Sequence, residues 1–554
     1  MMKPSIATIL AELYGPAAAA GLAAELQQQI EVFRAQSSVR PSADLSERDV
    51  VLIAYADQLR AAEQAPLATL ADFARTQLRD VVSGIHLLPF YPWSSDDGFS
   101  VKDFFAVDAA FGTWDDIERF RPEFDLMYDA VFNHMSAQGE WFQRFLADEP
   151  EFRDFFVTVA GNPDLSQVVR PRALPLLTEF QTARGPEQVW TTFSADQVDL
   201  NFKNPAVLLA TLRALLVYVE RGAKFIRLDA IAYLWKEIGT NCIHLPQTHR
   251  VIQLWRAVLD EIAPDVRLIT ETNVPHADNI SYFGTGTNEA QLVYNFALPP
   301  LVLHSLATGN AEKLTRWAAT LELPSGRTTF FNFLASHDGI GMNPARGILS
   351  QAEIDALVAR ATAHGGFVSY KHNPDGSKSP YELNITYFDA LSNPAAQEPE
   401  GIQIKRFLVA HAIMFALVGV PGIYFHSLFG SRNDRAGAEA SGIHRRINRQ
   451  KLSRPGLEAE LADASSLRAQ VFNGLAKLLA QRRASRVFAP QSRQCLMELD
   501  PRVFAVVRET SDGGEGMLCL HNVSNETVAL NAAGELTRAV VLAPYEVRWE
   551  PLPA

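Results

Sequence analysis

The stretch KFIRLDA, residues 224–230, is a brief, largely apolar run, and seven further runs of this kind recur along the chain. They are VVLIAYADQ (50–58), GIHLLPF (84–90), DLMYDAVFNH (125–134), RLITETN (267–273), LVYNFAL (292–298), TFFNFLASHDG (329–339) and VPGIYFH (420–426). Their apolar character is continuous and does not alternate, as strands of a parallel sheet covered on both faces require. Helical patterns lie between several of them: TWDDIERF (113–120), PAVLLATLRALLVYVERG (205–222) and THRVIQLWRAVLDEI (248–262). Eight such units predict an α/β fold, a closed (β/α)8 TIM barrel with its active site at the C-terminal ends of the strands.

Spacing locates the additions to the barrel. The third and fourth runs are separated by far more chain than the roughly 30 residues of a βαβ unit. Residues 1–134 are therefore read as the first part of the barrel and 135–200, with the Pro- and Arg-rich RPRALPLL, as a small inserted domain. Residues 201–484 complete the barrel, with an inserted loop region at about 340–400 that holds the turn-rich SYKHNPDGSKSPYEL. Short alternating segments (VFAVVRE, GMLCLHN, AVVLAPYEVRWEP) mark 485–554 as a C-terminal antiparallel β domain.

Composition removes several function classes. The 554 residues carry 50 Lys+Arg against 63 Asp+Glu, a net charge of −13, with no basic block, which argues against nucleic acid as a partner. No apolar run is long enough to span a bilayer, so no membrane role is expected, and MMKPSIATILAELYGP is too short and acidic for a secretory signal. Cys242, Cys495 and Cys519 are scattered, which argues against a disulfide framework or zinc cluster and points to a reducing cytoplasm. No D-x-D-x-D-G calcium loop is present, and no metal is expected.

Three carboxylates end strands four, five and seven: Asp229 in IRLDA, Glu271 in LITETN and Asp338 in SHDGIG. Each alone reads as a helix N-cap. Together they converge on one barrel mouth, where paired carboxylates suit glycosidic-bond chemistry: one attacks the anomeric carbon and the other protonates the leaving oxygen.

DAVFNH (129–134), IRLDA (226–230), LITETN (268–273) and SHDGIG (336–341), in this order, resemble the four conserved regions of the α-amylase family, glycoside hydrolase family 13. GIHLLPFYPWSSDDGF, RPRALPLL, VWTTFSADQVDLNF, YNFALPPLVLHSL, SPYELNITYFDAL and RRINRQKL narrow the resemblance to its sucrose phosphorylase subfamily, and within it to glucosylglycerate and glucosylglycerol phosphorylases. The resemblance implies a retaining glycoside phosphorylase, a hexosyltransferase with inorganic phosphate as co-substrate and no cofactor. Its partners would be small molecules, and related phosphorylases being often dimers, a homodimer is one expected assembly.

The resemblance also implies roles. Asp229 corresponds to the nucleophile, with Arg227 beside it; Glu271 to the general acid/base; Asp338 and His337 to the pair that grips sugar hydroxyls; and His134 to the second histidine. Asp96 and Arg445 match the pair that closes the glucose subsite, around which Phe99, Gln197 and Tyr233 also fall. On the phosphate and acceptor side stand Arg172, Asn273 (where sucrose phosphorylases carry a histidine), Tyr381 and Glu382 (where they carry a glutamine). An ionised Glu382 would accept from a neutral polyol and repel glycerate, so glucosylglycerol is expected ahead of glucosylglycerate, with sucrose or sucrose 6'-phosphate third. Arg346 in NPARG is the cation that would admit glycerate. The competing readings are an α-glucoside hydrolase or transglucosylase, which needs no Arg172, and a sugar-binding scaffold, which needs no acid/base carboxylate.

Overall fold

The computed structural model describes residues 4–37, 43–172, 174–373, 376–532 and 534–553. Residues 1–3 of the N-terminal stretch, Ala173 of RPRALPLL, and Pro374 and Asp375 of the turn-rich loop lie outside the described residues.

Each of the eight apolar runs supplies one strand: β1 (Val51–Ala54), β2 (Gly84–Leu87), β3 (Asp125–Ala130), β4 (Ala223–Leu228), β5 (Arg267–Thr270), β6 (Leu292–Tyr294), β7 (Thr329–Phe333) and β8 (Val420–Tyr424). All pairings are parallel, each strand lies beside its sequence neighbours, and β1 closes the barrel against β8. The strands are buried almost throughout, which is why their apolar character does not alternate.

Helices α1 (Ile6–Tyr14) and α2 (Pro16–Gln36) precede the barrel. The Tyr14 hydroxyl ties them to it by donating to the Phe202 carbonyl at 2.9 Å. Helix α3 (Pro205–Glu220) starts where its sequence dictates: Pro205 takes the first position, and the Asn204 side chain accepts from the Ala206 N–H at 3.0 Å. Helix α4 (Pro246–Ile262) runs between β4 and β5. Among the described residues no helix is long and apolar enough to cross a membrane.

Between β3 and β4 the chain forms a three-stranded antiparallel sheet from Thr158–Val159, Leu177–Thr182 and Gly185–Trp190, over an apolar cluster that includes Val168, Leu176 and Trp190. After β7 come helix α5 (Gln351–Ala363) and a hairpin, Phe367–His372 with Lys378–Asn384. Helix α6 (Leu467–Arg483) completes the outer ring. Beyond it β9 (Arg493–Met497), β10 (Val503–Glu509), β11 (Gly516–Asn522) and β12 (Val547–Pro551) form an antiparallel sheet.

Candidate active site

Register places the central charges. Arg227 on β4 lies directly opposite Asp129 on β3, so both side chains enter the barrel together. Arg227 Nη1 donates to Asp129 at 2.5 Å and to Asp229 at 2.8 Å, while its Nη2 stands 3.9 Å from Glu271. Asp129 also meets His86 Nε2 at 2.7 Å. Arg227 therefore lies beneath the pocket and not on its wall, and one guanidinium holds three carboxylates.

Leu228 on β4 pairs with Thr270 on β5, so Asp229 and Glu271 leave their strands side by side. Ala230 follows in a left-handed conformation (φ 48°) that costs a non-glycine residue about 1–2 kcal/mol. That turn aims its N–H at Glu271 Oε2, 3.0 Å away.

Burial pushes the carboxyls of Asp229 and Glu271 above their usual range, and Arg227 opposes the rise in both. The pair therefore keeps a proton to higher pH than isolated carboxyls do. Arg227 is closer to Asp229 than to Glu271, which puts the negative charge on Asp229 and the proton on Glu271. Asp338 behaves oppositely. Burial alone would raise it, but Arg445 at 2.8 Å, with His337 and Arg449 nearby, holds it well below the usual range.

These groups open onto one pocket at the barrel mouth. His337 stacks on Phe99 with centroids 4.7 Å apart and lies 3.3 Å from Asp338; burial drives its imidazole down to about 3, so it is neutral. His134 Nε2 meets the Phe99 carbonyl at 2.9 Å and Gln197 at 3.2 Å, and burial lowers its pKa too. Tyr233 completes this side, its ring edge-on to Phe193.

On the other side Arg172, Asn273, Tyr381 and Glu382 line the same pocket. The register of the hairpin shifts between Ser369 and Tyr370, a bulge that skips Tyr381. The Asn273 Oδ1 is buried beside Gly341 without a hydrogen-bond partner.

Two expectations change. Asp96 and Arg445 both line the pocket, each with its own partners: Asp96 accepts from Arg172 at 2.9 Å and from Gln197 at 3.3 Å. Arg445 grips Glu382 through Nε and Nη2 at 3.0 and 2.7 Å, and Asp338 through Nη1. Glu382 is thus not the isolated anion on which the preference for a neutral polyol was argued. Arg346 is absent from the pocket wall. After Met342, whose N–H donates to the Tyr381 carbonyl, the 3-10 turn Asn343–Ala345 carries the chain away, and Arg346 faces a separate cavity.

The pocket also contains groups the motifs did not single out. Phe193 lines it, with the Arg172 guanidinium 5.6 Å from its ring. Arg449 is buried beneath, donating to the His337 carbonyl at 2.7 Å and to Asp97 at 2.8 Å. Its place in RRINR was the available signal, but the string does not say which arginine turns inward.

The model of the α-amylase catalytic domain matches residues 79–339. A glucosylglycerate phosphorylase of Allomeiothermus silvanus is 51% identical over 553 residues, covering 99% of this chain and 98% of the relative. A glucosylglycerol phosphorylase of Marinobacter adhaerens is 29% identical, covering 74% of this chain and 83% of its own. A crystal structure of sucrose 6F-phosphate phosphorylase from Thermoanaerobacter thermosaccharolyticum shares the fold, with a TM-score of 0.76 at 24% identity, covering 90% of this chain and 99% of that one. A barrel mouth with paired carboxylates, and relatives that are phosphorylases over nearly the full length, lead to one conclusion: the chain belongs to the α-amylase family, glycoside hydrolase family 13, in its sucrose phosphorylase subfamily, and is a retaining glycoside phosphorylase.

Proposed function

We propose that the protein phosphorolyses 2-O-α-D-glucosylglycerate to α-D-glucose 1-phosphate and glycerate. Asp229 attacks C1 of the glucosyl unit while Glu271 passes its proton to the departing glycerate oxygen. A β-glucosyl ester on Asp229 results. Inorganic phosphate then gives a proton to Glu271 and attacks C1 from the side the acceptor left, restoring the α configuration and freeing Asp229. Asp338, held ionised, and neutral His337 grip the sugar hydroxyls. The observation that carries these roles is the single guanidinium of Arg227, 2.8 Å from Asp229 and 3.9 Å from Glu271.

Two facts support glycerate over glycerol. The relative that acts on glucosylglycerate is much nearer in sequence than the one named for glucosylglycerol. In addition, Arg445 pairs with Glu382, which weakens the repulsion a lone carboxylate would exert on glycerate. Arg172 on the pocket wall is the cation we assign to the incoming anion, its planar fork being suited to paired oxygens.

With α-D-glucose 1-phosphate as donor, phosphate release is to be compared for glycerate, glycerol, fructose, fructose 6-phosphate and water. Glycerate is expected to give the highest kcat/KM; a clear preference for glycerol overturns the reading. Arg172→Ala should raise the phosphate KM by roughly tenfold to a hundredfold, the worth of one charge-assisted hydrogen bond, and shift products toward free glucose. An unchanged ratio of phosphorolysis to hydrolysis would assign the anion to another group.

A further inference from the structure

Arg346 has no part in the catalytic pocket, yet its surroundings call for a ligand. The cavity it faces has about 990 Å³ of open space, lies between α5 and the hairpin, and is also lined by Tyr370, Lys378 and Ser379. Two guanidinium nitrogens, Nε and Nη2, are closed off from solvent and have no hydrogen-bond partner. These two N–H groups lie on the same edge of the guanidinium, the edge that takes two oxygens of one oxyanion. Among the described residues, the carboxylate on the cavity wall is Asp355, which accepts from Gln351 at 2.8 Å.

A second cation sharpens the demand. Lys371 lies opposite Ser379 of the cavity wall in the hairpin register; it is partly buried, and both burial and the Arg346 charge push its ammonium down. The buried donors of Arg346, unsatisfied beside a second cation, cost stability unless an anion joins them.

We propose that this cavity is a second anion site, distinct from the catalytic pocket, that takes a phosphate group, free or as a phosphomonoester. A turn of the Arg346 side chain brings its Nε and Nη2 edge onto two of the oxygens, and Lys371 supplies the second positive charge for the dianion. The site is coupled to the acceptor wall by the chain itself. Ser379 and Pro380 line the outer cavity, and the next two residues, Tyr381 and Glu382, line the catalytic pocket. Occupancy therefore fixes the strand that carries the acceptor contacts, whichever acceptor that pocket takes.

The test is equilibrium titration of the full-length protein with inorganic phosphate and, separately, with glycerol phosphate, read by calorimetry. Arg172→Ala is titrated in parallel to weaken phosphate binding in the catalytic pocket. It should keep a saturable phosphate site, whereas Arg346→Ala and Lys371→Met should each weaken that site by about tenfold or more, with Arg346→Lys between them and wild type. A tighter monoester than free phosphate identifies the monoester as the occupant, and the reverse order identifies inorganic phosphate. Loss of all phosphate binding in Arg172→Ala overturns the proposal even if Arg346→Ala fails to fold. Unchanged affinity and stoichiometry in both Arg346→Ala and Lys371→Met overturns it as well. None of these readouts depends on whether glycerate is the acceptor.

Discussion

Asp229→Ala is expected to lower glucoside turnover by roughly four to six orders of magnitude, the scale seen when a covalent nucleophile is removed. No neighbouring group can substitute. Glu271 is the proton carrier, and Asp338 is tied to Arg445. The variant should nevertheless be as stable as wild type or slightly more so. The Asp229 carboxyl is raised by burial, so its ionised form destabilises the fold, and Arg227 keeps Asp129 as a partner. Single-turnover kinetics and a melting curve check both halves. Readily measured phosphorolysis by a well-folded variant would remove Asp229 from the nucleophile role.

Glu271→Gln separates protonation from attack. Turnover of glucosylglycerate should fall by roughly a hundredfold to ten-thousandfold, the usual range for losing a general acid. An α-glucosyl fluoride needs no proton for departure, so glucosyl transfer from it onto Asp229 should stay close to wild type. The amide oxygen can still accept from the Ala230 N–H, which keeps the side chain in place. Equal losses on both donors would show that Glu271 acts on position and not on the proton.

The sequence disclosed the barrel because its strands had to be apolar on both faces, and KFIRLDA and its counterparts carry that demand openly. It disclosed Asp229, Glu271 and Asp338 because strand ends in a barrel all face one mouth. It was weaker wherever a short turn decides direction. Arg445, Arg446 and Arg449 lie in or next to the 3-10 turn His444–Asn448, where successive residues point about a third of a circle apart. Only coordinates reveal that Arg445 reaches Glu382 while Arg446 and Arg449 both reach Asp97. Arg346 misled for the same reason. It stands only five positions beyond Gly341, which pairs with Glu382, yet the intervening turn reverses its direction.

The rim of the glucose end has a consequence for how the enzyme meets acid. Asp96 and Asp97 both hold left-handed backbone, with φ of 53° and 50°, and arginines keep them there. Burial alone would raise the Asp97 carboxyl, but Arg446 and Arg449 bring it from 3.8 down to about 2. Its contribution to stability is complete above the ordinary value and is lost only as pH falls through roughly 4 to 2. Asp229 and Glu271 shift the other way, so they take up their second proton at a higher pH than the one at which the rim lets go. Between those two events the protein should be silent but intact. Activity lost on mild acidification should then return in full on neutralisation, with an unchanged near-ultraviolet spectrum throughout. Permanent loss at the first onset of inactivation would mean that the rim fails before the chemistry does.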